Sequence, residues 1–160
     1  MIPDSVPRIQ HEFLSMCDGA TRGILRETKH EGVSPMPQLP DAVKAAWEKR
    51  NGPAVFATVN EGSMPNTIYV TCIALYDDST VLIADNYFDK TRRNILAGSQ
   101  GSLLFMTEDR KAYQIKGTIT RYTSGPMFDH MKSWNPQKHP GHAAAALAVE
   151  EVYSGAEKLL

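Results

Sequence analysis

Cysteine is scarce in this chain: Cys17 and Cys72 are the only two among 160 residues, far apart and without a CxxC or metal-ligand spacing. That excludes a disulfide framework and a structural zinc site, and leaves two free buried thiols as the expectation. No apolar run reaches the roughly 18 residues a membrane-spanning helix needs. The opening MIPDSVPRIQHEFL has no apolar h-region and carries Asp4 and Glu12 early, so neither a membrane span nor a signal peptide is expected and a cytoplasmic protein is the simplest reading. Charge of one sign is lacking too, with 17 basic against 18 acidic residues and a formal net charge of -1. Bulk electrostatics therefore give no case for nucleic acid or an anionic membrane as partner. Ser63 and Ser124 have no base at recognisable spacing, which leaves nucleophilic catalysis unsupported.

What is present is a globular composition, 42% hydrophobic and 22% charged, enough for one domain with a sizeable core. Residues 1–38 stand apart. Ile9, Phe13, Met16 and Cys17 recur at helical spacing after Pro7, Gly19 stops them, and SPMPQLP over residues 34–40 reads as an extended linker. The expected organisation is an N-terminal extension over residues 1–38, with one short helix and a proline-rich linker, followed by a main domain over 39–160.

The main domain opens with a helix at Pro40-Asp41, whose Val43, Ala46 and Trp47 share a face and which Asn51-Gly52 closes. Six strands are predicted, over 54–59, 66–75, 81–84, 102–107, 112–122 and 145–153, separated by turn chemistry and by two further helices, one after Asp89 and one from Pro126 to about Trp134. This spacing predicts a mainly β fold: a closed or nearly closed six-stranded antiparallel barrel with inserted helices.

Residues 81–98, VLIADNYFDKTRRNILAG, carry the strongest local signal. A short strand ends at Asp85-Asn86, Asp89 stands where an N-cap belongs, and Lys90, Thr91, Arg92 and Arg93 fall in the first helical turns. Cations are unfavourable at the positive end of a helix unless an anion sits there. Two readings stay open: a phosphate cradle of N–H groups, a hydroxyl and cations, or a solvated basic helix. The loop His139-Pro140-Gly141-His142 offers no third ligand at fixed spacing, so no metal is expected. Asp77-Asp78 and Glu150-Glu151 read as a turn and a strand edge rather than as acid–base pairs. Tyr69 and Trp134 suit either stacking on a ligand or the core.

In order and spacing, Thr58 to Thr67, Asp85 to Asn94 with Lys90-Thr91, Gln114-Ile115-Lys116-Gly117, Tyr122 to Phe128 and Glu151 to Gly155 resemble the pyridoxamine 5'-phosphate oxidase-like FMN-binding split barrels, and among these the small FMN-binding flavoproteins. The resemblance implies FMN as cofactor, held at the interface of a homodimer. It implies that Asn66, Thr67, Ile68 and Tyr69 line the flavin, that Ala84 and Asp85 offer it backbone, and that Lys90 and Thr91 clamp its phosphate. Gln114 matches a glutamine that touches flavin, and Trp134 a tryptophan brought to the ring by the other subunit. Two departures stand against vitamin B6 chemistry: no arginine lies in residues 66–75, and the chain ends in Glu157-Lys158-Leu159-Leu160 without an Arg-x-His-x-Arg type segment. The implied function is flavin-dependent oxidoreduction with a small-molecule electron donor or acceptor. The alternative is a non-catalytic carrier of FMN, haem or a deazaflavin on the same fold.

Overall fold

In the computed structural model, which describes residues 36–160, Pro40 precedes helix α1 (Asp41–Glu48), and Val43, Ala46 and Trp47 are buried one helical turn apart. The short helix expected around Phe13, and the extension up to residue 35, fall outside the described residues. Trp47 meets Phe105 edge-on at 5.3 Å. The Arg50 guanidinium covers the other side of the indole, 4.1 Å from its centroid.

The strands follow as β1 (Ala54–Val59), β2 (Pro65–Val70), β3 (Ile73–Asp77) and β4 (Thr80–Asp85). After helix α2 (Lys90–Leu96) come β5 (Gln100–Met106) and β6 (Ala112–Tyr122), then helix α3 (Pro126–Trp134), β7 (Ala143–Ala148), β8 (Glu151–Ser154) and β9 (Glu157–Lys158). The strands form one antiparallel sheet in the order β2-β1-β5-β6-β7-β4-β3, with β8 also on β6 and β9 on β8. Its two outer strands are consecutive in sequence, so the sheet curls and the corner at Thr71-Cys72 joins its ends.

The mainly β split-barrel expectation holds, but the six-strand count does not, because the described residues form nine strands. The segment 66–75 divides: β2 pairs with β1, and after the corner β3 pairs with β4. The segment 145–153 divides as well. β7 pairs with the second half of β6, and β8 with the first half. The chain crosses β6 at Gly117, where a Cβ would stand 1.7 Å from the Ala148 carbonyl oxygen. Only a residue without a side chain permits that approach. A terminal pairing, Tyr153 opposite Lys158, adds β9.

One core fills the inside of the curl, built on Val43, Trp47, Phe56, Ile83, Leu103, Phe105, Ile115, Leu147 and Val152. A second lies under α3, where Met131 packs on Leu82, Ala84, Ala144 and Ala146. β4 is therefore covered on both faces, which accounts for its continuous apolar run. The alanines of β7 keep the sheet surface low where the helix seats. β4, clasped between β3 and β7, is the rigid element from which the candidate site is built.

Candidate functional site

Past Asp85 the chain leaves β4, crosses the open end of the curl and enters α2. Three cavities adjoin there. The first, about 280 Å³, is walled by Ile68, Tyr69, Val70, Thr71, Cys72, Ala84, Asn86, Tyr87, Phe88 and His139. The second, about 210 Å³, shares Ile68, Tyr87 and Phe88 with it and continues to Asn66, Asp89, Lys90 and Thr91. The third, about 570 Å³, shares Asn66 and Lys90 with the second and runs on along α2. Together they make one trench, apolar and aromatic at the β4 end and charged where it passes α2, with Lys90 and Arg93 as its cations and Asp89 and Glu61 as its acids.

A buried polar network fixes α2 over the β1–β2 hairpin. Asn66 Nδ2 donates to Thr91 Oγ1 at 2.9 Å, and Asn94 Nδ2 donates to Thr58 Oγ1 at 3.0 Å. Thr91 is only 2% exposed, and its hydroxyl, which accepts from Asn66, keeps its own proton to donate. Lys90 is exposed, and among the described residues no carboxylate lies within ion-pair distance of it.

The two arginines that follow are not equivalent. Arg92 donates through Nε and Nη2 to both oxygens of Asp85, each at 2.8 Å, and Arg121 reaches the same carboxylate at 3.3 Å. Asp85 is 1% exposed, so these guanidiniums compensate a buried charge. The Asp85 hydrogen bonds raise the Arg92 pKa above its ordinary value. Arg92 is thus a bolt between α2 and the end of β4, its guanidinium turned to Asp85. Arg93 lies on the other side of the helix, lining the third cavity and donating to Asp89 at 3.0 Å. Asp89 occupies the N-cap position, yet its carboxylate makes no capping bond.

The expected residues separate by strand alternation. Asn66, Ile68, Ala84, Lys90 and Thr91 line the trench, Tyr69 stands at its rim with 77% exposure, and Thr67 lines none of the three cavities. Asp85 contributes through its ion pairs and not as a wall. Gln114 sits on the outer face of the sheet, donating to Ser102 Oγ at 2.8 Å. Trp134 packs against the second core, and its indole N–H is buried with no acceptor among the described residues.

Sequence reasoning missed the latch at the apolar end. Asn86 and Asn135 exchange two amide hydrogen bonds of 3.0 Å, and Gly141 N–H donates to Asn86 Oδ1 at 3.0 Å. Lys132 Nζ donates to the Pro140 carbonyl at 3.0 Å. These bonds hold loop 136–142 against β4 and set His139 beside Tyr87, with Nδ1 3.3 Å from the phenol oxygen and the rings edge to face at 5.7 Å. The turn residues around His139 were visible in sequence, but their partner Asn86 was not. Chemically, the trench can hold a flat apolar group beside Ile68, Ala84 and Phe88 and an anion at Lys90 and Thr91.

Comparison with known proteins gives the family and supports the fold. An uncharacterised protein of Methanocaldococcus jannaschii is 30% identical over 104 residues, covering 61% of this chain and 69% of that one. HupZ of Group A Streptococcus has a similar structure (TM-score 0.65, 24% identity), covering 75% of this chain and 96% of that one. An FMN-binding protein of Syntrophomonas wolfei superposes with a TM-score of 0.58 at 16% identity, covering 72% of this chain and 82% of that one. HutZ, the heme storage protein of Vibrio cholerae, does so at 0.53 and 13%, covering 74% and 95%. The sequence model described as pyridoxamine 5'-phosphate oxidase matches residues 39–155, and the chain belongs to that family of split-barrel proteins.

Proposed function

We propose that the protein is an FMN-binding oxidoreductase that works as a homodimer with flavin at the subunit interface. The observation that carries this reading is the polarity of the trench, apolar between Ile68, Ala84 and Phe88 and cationic at Lys90. A flavin mononucleotide has the same order, a flat aromatic ring at one end and a phosphate at the other. Family membership and the likeness to an FMN-binding protein support it.

In this reading Ile68 and Ala84 wall the ring, with Tyr69 at its edge, Asn66 bonds the flavin, and Lys90 with the Thr91 hydroxyl holds the phosphate. Asp85 acts through Arg92, keeping the first turn of α2 in place. Bound flavin would supply hydride or electron transfer to a small-molecule donor or acceptor. Gln114 and Trp134 do not line the trench of their own chain, which suits contribution across a dimer interface. The outer sheet face is available for that contact. Tyr69, Val55, Leu104, Gln114 and Tyr153 stand opposite one another across β2, β1, β5, β6 and β8, and Tyr69, Leu104 and nearby Met106 are exposed.

The test is an absorption spectrum of freshly purified protein, with mass spectrometry of the released ligand. Flavin bands and the mass of a flavin nucleotide are expected, followed by bleaching under anaerobic NADH or NADPH. Colourless protein that gives no spectral change with added FMN would sink the reading. A carrier role for haem is the second reading, supported by the likeness to HutZ and by the His139 ring at the trench wall. A Soret band in the fresh protein would favour it.

A further inference from the structure

The third cavity is the largest of the three and begins where the FMN phosphate would end. It shares Asn66 and Lys90 with the anion end of the trench and then follows one side of α2, where Lys90, Arg93, Asn94 and Ala97 recur at helical spacing. Its opposite wall is the β1–β2 turn, with Asn60, Glu61, Met64 and Pro65. That turn is built to hold its shape. Asn60 Oδ1 accepts from Met64 N–H at 2.8 Å, Asn60 N–H donates to the Met64 carbonyl at 3.0 Å, and Ser63 takes a left-handed φ of 61°. The floor is fixed as well, since Asn94 is buried and bonded to Thr58.

We infer that this cavity is an adenylate subsite, so that the chain accepts a dinucleotide flavin in which the phosphate at Lys90 continues into a pyrophosphate; the inference rests on the flavin reading above. The chemistry changes in the required order along the trench. Lys90 and Arg93 stand one helical turn apart, a spacing that serves two linked phosphates. Among the described residues Arg93 is engaged only by the exposed carboxylate of Asp89, an ion pair of small worth that a phosphate can displace. Beyond them stands Glu61, whose carboxylate can only accept hydrogen bonds. It suits ribose hydroxyls or an adenine amino group, and it repels a carboxylated tail such as those of some deazaflavins. Met64, 66% exposed, with Pro65 and Ala97, provides an apolar surface on which a purine can lie.

Calorimetric titration of the full chain with riboflavin, FMN and FAD tests this. FAD is expected to bind at least tenfold more tightly than FMN. Arg93→Ala should weaken FAD tenfold or more while changing FMN less than twofold, and Glu61→Lys should weaken FAD relative to FMN. FMN binding as tightly as FAD, or Arg93→Ala weakening both alike, overturns the adenylate subsite while leaving the flavin reading standing. Tighter binding of an acidic-tailed deazaflavin than of FAD overturns it too. Failure of all three flavins to bind removes both.

Discussion

Lys90 is the cation at the turn of the trench, with Arg92 committed to Asp85 and Arg93 facing the next cavity. If it holds a phosphate, Lys90→Ala should weaken FMN by about 1.5–3 kcal/mol, the scale of a charge-assisted hydrogen bond, and leave riboflavin unchanged. Parallel titrations of the two ligands check this, and equal losses for both would place the phosphate elsewhere. Gly117 makes a different kind of prediction, one about stability. A methyl group there would meet the Ala148 carbonyl, which is backbone and cannot swing aside. Gly117→Ala should cost about 3 kcal/mol, lowering the melting temperature by roughly 6–12 °C for a chain of this size, read by circular dichroism.

At the scale of elements, β8 and β9 form a small terminal ribbon closed by Glu151, which accepts from the Tyr153 hydroxyl at 3.0 Å and from Lys158 at 3.3 Å. The Tyr153 bond first, and Lys158 next, hold the Glu151 carboxyl below its ordinary value of 4.5. A carboxyl titrating lower in the folded than in the unfolded chain contributes its full stabilisation above that ordinary value and loses it as pH falls through the folded value. The protection of the Val152 and Leu159 amides from hydrogen exchange, relative to their intrinsic rates at each pH, should therefore fall on acidification below about pH 4.5, and Glu151→Gln should flatten that dependence. An identical acid response in the variant would assign it to other groups.

Elements whose ends carry their own punctuation were legible in the sequence. β1 lies between Pro53 and Asn60, and α3 begins at Pro126 after Gly125. The two misread strands lack such signals, since Thr71-Cys72 and Val149-Glu150 are ordinary strand residues. The breaks there come from partners, as each chain segment changes neighbour at that point. The site divides in the same way. Asn66, Ile68, Ala84, Lys90 and Thr91 were placed by local pattern and family likeness, whereas the Asn86–Asn135 latch and its setting of His139 join residues that are far apart in the chain. No local rule links them.

For the whole molecule, the homodimer proposed above would use the outer face of β2, β1 and β5. Leu104 and Met106 are exposed there beside Tyr69 and Val59. Leu104→Glu should leave the fold intact, because the side chain points out of the core, and, if the chain dimerises through this face as proposed, convert a dimer to a monomer in light scattering. It should also weaken flavin binding if the partner completes the site. A monomeric wild-type chain that holds FMN equally well would remove the interface from the proposal.

The clasping of β4 bears on how the protein acquires whatever it carries. Ala84 and Asn86 face the first cavity, but Asp85 pairs opposite Ala143, and Asn86 is saturated by Asn135 and Gly141. While a ribosome is still synthesising the chain, β4 has one bare edge and its asparagine no companion until residues 135–148 emerge. If the trench holds a ligand as proposed, loading is a late event, and during refolding ligand capture should lag the recovery of β-structure.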